Sequence, residues 1–249
     1  MKFGLKLWSI NTNLVDQAVS LIDSKIFDYI ELFVVPGSTI EFFSIDIPYV
    51  IHIPHDTFGV NIGDSSLDRH SLKLINESIN WADSLDAKYI ILHPGYGSLE
   101  HASCFLSKIS DPRLLIENMP KIGLGGELMI GYSSAQIEYL IGDNEMGLCL
   151  DLAHAVKGAV SLGIDYKSYI KEFMNLDPRM FHISDGTLNV ETDQHLNIGE
   201  GEYDFSFMQQ CIDSSSTGFV TMETPRINLG SLAEDILNLE RLRCILNYK

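Results

Sequence analysis

Along the chain, short runs of apolar, β-branched and aromatic residues alternate with longer stretches in which apolar positions recur at helical spacing. The runs at 3–8, 29–33, 49–53, 89–93, 114–117, 147–150, 180–183 and 219–223 read as strands. Most are apolar almost throughout, as expected of strands covered on both faces. Between them, 14–24, 67–84, 133–141, 166–174, 205–211 and 232–246 read as helices, and in the last Leu232, Ile236, Leu239, Leu242 and Leu246 form one stripe. Segment 34–48 is poor in helix signal, and 95–111 has room for only a short helix. Eight units of this alternation predict an α/β fold, a parallel sheet closed into a (β/α)8 TIM barrel. The 249 residues suit one such domain over 1–249, because the architecture commonly takes about 250.

Composition narrows the function classes. A 45% apolar share supplies a sizeable core, and 20% charged residues is an ordinary globular surface. There is no run of about 18 apolar residues and no cleavable leader, so the expectation is a cytoplasmic protein with no membrane partner. Cys104, Cys149, Cys211 and Cys244 are scattered without any CxxC pair and fit buried thiols better than a disulfide frame. The formal net charge of -17 opposes non-specific attraction to polyphosphate. Carboxylates that bind cations would hide part of that charge.

Candidate chemistry collects where the strands end, the rim on which barrels build their sites. Those ends deliver Glu31, His55, His93, Glu117, Asp151, His182 and Glu223. Two carboxylates about 4 Å apart repel by roughly 4 kcal/mol at an effective dielectric of 20, so several meeting at one mouth need protons or cations. Interleaved histidines favour metal, since imidazole with carboxylate is ordinary ligation for zinc, manganese or iron. Asp151 and His154 lie three residues apart, which one helical turn would aim at the same pocket. Asp193 and His195 lie two apart and share a face of an extended loop. His70 and His101 read as solvated. His52, inside the third strand, reads as packed or supporting rather than ligating, and Gly199-Glu200-Gly201 as a turn.

Several segments then resemble the xylose isomerase-like barrels, and within them the endonuclease IV branch (AP endonuclease family 2). They are Ile53-Pro54-His55-Asp56 with Asn61-Ile62-Gly63, Leu92-His93-Pro94-Gly95, Ile116-Glu117-Asn118, and Cys149-Leu150-Asp151-Leu152-Ala153-His154-Ala155. The series continues with His182-Ile183-Ser184-Asp185, then Asp193-Gln194-His195 running on to Gly201, and Met222-Glu223-Thr224. The resemblance implies three zinc ions. His55 and His93 would bind one and share Glu117 with a second, which Asp151, His182 and Glu223 complete. His154, Asp193 and His195 would form the third. Three features differ from the endonuclease branch: segment 34–48 is too short for a DNA-inserting loop and holds no Arg or Lys, Phe58 stands where a tyrosine wedge is expected, and Glu31 is more like the sugar isomerases.

The resemblance implies metal-dependent hydrolysis of a phosphate ester, on a small phosphorylated substrate or the phosphodiester at abasic sites in damaged DNA, with Glu117 and Glu223 as catalytic carboxylates and two or three Zn2+ ions. The alternative is isomerisation or epimerisation of a sugar or sugar phosphate with Mn2+ or another single divalent metal, Glu117 and Glu223 exchanging a proton beside the carbonyl. A third reading is a non-catalytic metal-binding barrel. In either enzymatic scheme Lys157 and Arg226 would meet a phosphate, while Glu31 and Phe58 would line the substrate site.

Overall fold

A computed structural model describes residues 1–142 and 146–246. Eight parallel strands close in sequence order into a barrel: β1 (Lys2–Trp8), β2 (Tyr29–Phe33), β3 (Tyr49–His52), β4 (Ile90–Leu92), β5 (Leu114–Glu117), β6 (Gly147–Asp151), β7 (Met180–Ile183) and β8 (Phe219–Met222). The last pairs with the first through Lys2↔Phe219 to Gly4↔Thr221. All eight expected strands are present within a residue or two at each end.

The helices are α1 (Val15–Asp23), α2 (Asp68–Ser84), α3 (Leu99–Leu106), α4 (Ser134–Ile141), α5 (Leu152–Leu162), α6 (Tyr166–Met174), α7 (Phe205–Ser214) and α8 (Ala233–Ile245). They are not distributed one per strand. Among the described residues the β2–β3 connection holds only a three-residue 3-10 turn, Glu41–Phe43, as the weak helix signal of 34–48 implied. The β6–β7 connection carries two helices. The first of these, α5, was not among the expected helices: residues 152–159 are all buried, and its few polar positions, His154, Lys157 and Ser161, are too sparse to mark a solvent-facing side in the sequence.

Strand alternation splits the core in two. One set of side chains, including Leu5, Leu32, Ile51, Leu92, Ile116, Leu150 and Phe181, faces outward against the helices. The other set, Tyr29, Val50, Tyr89, Ile91, Leu115, Cys149 and Met180 with Phe219 against them, plugs the lower barrel. Gly4 makes room for this plug: a Cβ there would overlap the Tyr29 ring and the Thr221 hydroxyl, which are themselves joined by a 2.9 Å hydrogen bond. Gly4→Ala is therefore expected to destabilise the barrel by about 2 kcal/mol through overpacking, read as a lowered urea midpoint at unchanged slope. An unchanged midpoint would show that the plug gives way freely.

Candidate metal centre

Two residues above the plug, on the same inward face, the apolar layer becomes ionisable. Gly4 is followed by Lys6, Tyr29 by Glu31, Val50 by His52, Ile91 by His93, Leu115 by Glu117, Cys149 by Asp151, Met180 by His182 and Thr221 by Glu223. Each strand thus supplies one titratable side chain to a single ring. Most of the ring is sealed: Glu31, Glu117, Asp151 and His182 are fully buried, and Glu223 and His93 are only slightly exposed.

Glu117 stands at the centre. Its Oε2 lies 3.0 Å from His93 Nε2, 3.3 Å from His182 Nδ1 and 3.5 Å from His52 Nε2, and its Oε1 lies 3.4 Å from His154 Nδ1. Ring orientations are fixed from outside. Three histidines turn Nδ1 to a backbone carbonyl: His52 to Ile53 at 2.8 Å, His154 to Asn118 at 2.9 Å and His195 to Glu223 at 2.6 Å. With the Nδ1 proton held there, each ring presents the Nε2 lone pair inward, the arrangement that outer partners impose on ligating imidazoles. His182 is mirrored: Nε2 bonds Glu31 at 2.9 Å, and Nδ1 faces Glu117 and, at 3.4 Å, Glu223. Asn118 ties the ends of β5 and β6 together, its side chain accepting from Asp151 N at 2.7 Å and donating to Asp151 O at 2.9 Å.

The third group rises on the loop after β7. His154, at the start of α5, has Nε2 3.6 Å from Asp193 Oδ2, and His195 Nε2 bonds the same oxygen. Lys157, one turn along α5 and fully buried, donates to Thr187 O at 2.8 Å, Val190 O at 3.0 Å and Gln194 Oε1 at 2.6 Å. It fastens the loop that carries Asp193 and His195. Below, the Asp185 carboxylate accepts from the amides of Gly186, Gly199 and Gly201 at 2.8–2.9 Å.

Charge is balanced by protons in the metal-free ring. Burial works against ionisation of Glu31, Glu117 and Glu223, yet neighbouring His182 with Lys6 holds Glu31 at about 2, His93 and His182 hold Glu117 well below the carboxylate range, and Lys6 and His182 do the same for Glu223. Burial likewise opposes charging the imidazoles, but Cys149 and three carboxylates raise His182, Asp151 and Asp193 raise His154, and Asp193 raises His195 to about 9. Burial and Lys6 push His52 down to about 4, so it stays neutral. Asp151 is raised by burial.

The donor set fits divalent metal. Glu117 Oε1, Asp151 Oδ2 and His182 Nδ1 are buried without a hydrogen-bond partner, an expensive condition unless a cation takes them. Potential ligand atoms lie within 4.8 Å of one another in Glu117–Asp151–His182–Glu223, in His154–Asp193–His195 and in His52–His93–Glu117.

Eight of the nine expected ligands therefore meet, and one does not. Among the described residues His55 joins no donor group: it lies beyond Pro54 on the rim, 27% exposed, with Nδ1 3.3 Å from Asp56 and 2.9 Å from Thr57 Oγ1. His52, expected to be supporting, faces Glu117 instead. Two further expectations are corrected. Lys157 does not face the cleft, its ammonium being engaged by the loop, and Arg226 is paired with Asp235 at 2.6 and 2.8 Å while donating to Lys6 O at 2.9 Å. Cys104 and Cys244 are exposed rather than buried. Sequence reasoning misses Lys6, whose ammonium bonds both Glu31 and Glu223. The available signal was a lone charge inside an otherwise buried strand.

Above the ring opens a cavity of about 490 Å³. Trp8 stacks on Phe33 with ring centroids 5.0 Å apart, forming an aromatic shelf; Phe58 packs on Phe33 at 5.5 Å behind it, and neither Phe58 nor the fully buried Glu31, both expected at the substrate site, lines the cavity. A strap of the β5–α4 connection, bridged by Tyr96↔Met129 and Ile122↔Leu128, adds Met119, Pro120, Leu124 and Met129. Among the described residues lining this cavity, Lys6 is the only Lys or Arg.

Comparison with known proteins agrees with this architecture. The chain is 27% identical over 214 residues to the probable endonuclease 4 of Mycoplasmopsis synoviae, covering 76% of this chain and 74% of that one. Among solved structures it superposes on endonuclease IV from Thermus thermophilus with a TM-score of 0.74 at 22% identity, covering 100% of both chains. It superposes on a D-tagatose 3-epimerase-like protein with a TM-score of 0.73 at 19% identity, covering 99% of this chain and 97% of that one. The family profile described as xylose isomerase-like TIM barrel matches residues 43–242, and the chain belongs to that family.

Proposed function

We propose that this chain is a metal-dependent hydrolase acting on a phosphate ester, with two or three divalent ions, zinc by the nitrogen and oxygen chemistry of its donors. The observation that carries this is the separate His154–Asp193–His195 group standing beside a ring already complete around Glu117. A single-metal reaction has no use for it. His52, His93 and Glu117 would hold one ion, Glu117, Asp151, His182 and Glu223 a second, and the loop group a third. Bound divalent ions would supply Lewis acidity, making water a nucleophile near neutral pH and offsetting phosphoryl charge.

The protein's own residues do the rest. Glu117 and Glu223 remain ionised and keep the surrounding imidazoles in place. The Asn118–Asp151 pair and Glu31 fix the rings on β6 and β7, and the shelf and strap screen the centre from bulk water. Endonuclease 4 relatives suggest abasic DNA as the substrate. The acidic chain, the short 34–48 connection and a cleft with one cation support a small phosphate ester instead.

A second reading, sugar epimerisation, draws support from the Trp8–Phe33 shelf, a surface suited to the apolar face of a sugar ring, and from paired carboxylates on β5 and β8. Elemental analysis of unstripped protein, followed by assays on abasic duplex, small phosphate esters and ketoses, separates the two. About three zinc ions with phosphate-ester cleavage is the expected result; one manganese or cobalt with ketose interconversion would support epimerisation. Protein that takes up no transition metal would end both.

A further inference from the structure

Among the described residues, two donor sets remain besides the three assigned above: Glu117–Cys149–His182, which overlaps the second site, and one that shares no more than His52 or Glu223 with any assigned set. Ligand atoms of Glu31, His52 and Glu223 also lie within 4.8 Å of one another, two carboxylates and an imidazole, which is acceptable chemistry for zinc or manganese. Here the cation is already covalently present. Lys6 reaches up from β1 and hydrogen-bonds both Glu31 and Glu223. The register of β1 against β2 sets Lys6 directly beside Glu31, so the ammonium enters the ring at its own level.

We propose that the Lys6 ammonium is a built-in cation that fills the Glu31–His52–Glu223 set and keeps divalent metal out of it, confining metal to the remaining sets. This rests on the metal-centre reading above. An ammonium and a metal ion sharing the same two carboxylates would stand within a few ångströms and repel, so occupancy by one excludes the other. Lys6 also decides how Glu223 is shared. The Glu223 Oε1 that takes the ammonium also lies 3.4 Å from His182 Nδ1, so Lys6 and the Glu117–Asp151–His182 group draw on the same carboxylate. Glu31, hydrogen-bonded to Lys6, also bonds His182 Nε2 at 2.9 Å, which aims Nδ1 at Glu117 and Glu223. Unlike a bound ion, this cation survives chelation.

The test is metal stoichiometry, not turnover. Wild type, Lys6→Met, Lys6→Gln and Lys6→Arg are saturated with Zn2+, freed of loose ion by gel filtration and analysed for zinc per chain. Lys6→Met and Lys6→Gln each leave two buried carboxylates facing an imidazole and are expected to carry one more ion than wild type, while Lys6→Arg carries the wild-type number. In a Lys6→Met/Glu31→Gln double variant the extra ion is expected to disappear. Lys6→Gln keeps a hydrogen-bonding group between the carboxylates and decides the matter if Lys6→Met does not fold. Wild-type stoichiometry or less in the charge-removing variants would overturn the proposal. The wild-type count by itself tests the metal-centre reading, so the two failures are told apart.

Discussion

Glu117→Gln is expected to lower turnover by at least about a thousandfold, whichever substrate the enzyme takes, and to reduce bound metal. Glu117 belongs to two of the three proposed ion sites, and its two oxygens lie within 3.5 Å of His52, His93, His154 and His182. Glutamine matches its volume, so the packing around β5 is kept. It removes the charge, however, and can place an amide N–H where imidazole N–H groups converge on the carboxylate. Those rings then face a donor instead of an acceptor, and an ion shared through this carboxylate loses a ligand. The measurement pairs steady-state rate with zinc content and a melting curve of the metal-free protein. Near-normal turnover in a folded variant would remove Glu117 from the chemistry.

Metal affinity is expected to climb steeply with pH, and the stability of the metal-free protein to move the other way. A ligating imidazole must be neutral, while in the metal-free protein His154 and His182 are raised well above their ordinary values and His195 to about 9. Each proton displaced at binding steepens the apparent affinity about tenfold per pH unit, so the His154–Asp193–His195 group, with two raised imidazoles, approaches about a hundredfold per unit below its pKa values. Its ion is the first expected to leave on acidification.

For the metal-free chain the sign reverses. A histidine whose folded pKa exceeds its unfolded value of about 6.5 stabilises the fold fully below that value and loses the contribution as pH rises through the folded one. The depressed carboxylates Glu31, Glu117, Glu223 and Asp193 stabilise above the ordinary carboxylate range and lose their contribution on further acidification. Chelated protein should therefore melt highest between the carboxylate and imidazole ranges and lose stability toward alkaline pH. The metal-loaded protein should gain stability over that same interval. Calorimetric titrations in buffers of different protonation enthalpy count the protons released; a pH-independent affinity with no proton release would contradict the assigned ligands.

Strand positions were readable because a sheet buried on both faces leaves unbroken apolar runs, and the chemistry was readable because charged groups terminate those runs. Parity was the under-used signal. Val50 points inward, so His52 does too, whereas His55 is three residues on and past Pro54, where the chain has left the strand. The motif around His55 outweighed that alternation. Lys157 lies on a helix buried around most of its circumference, and nothing in its neighbourhood says that a distant loop from 187 to 194 will arrive to accept its three hydrogen bonds. The strap over the cavity depends on pairing between residues such as Tyr96 and Met129, far apart in sequence, which no local pattern encodes.

Because Tyr29, Ile91, Leu115, Cys149 and Met180 already close the barrel beneath the ionisable tier, the apolar packing of the barrel does not depend on which side chain stands at each ionisable position above. Exchanging one member of that tier alters reactivity at a single height while the floor that resists unfolding stays in place. New chemistry can thus arise on this chassis by point replacement, with no renegotiation of how the strands register.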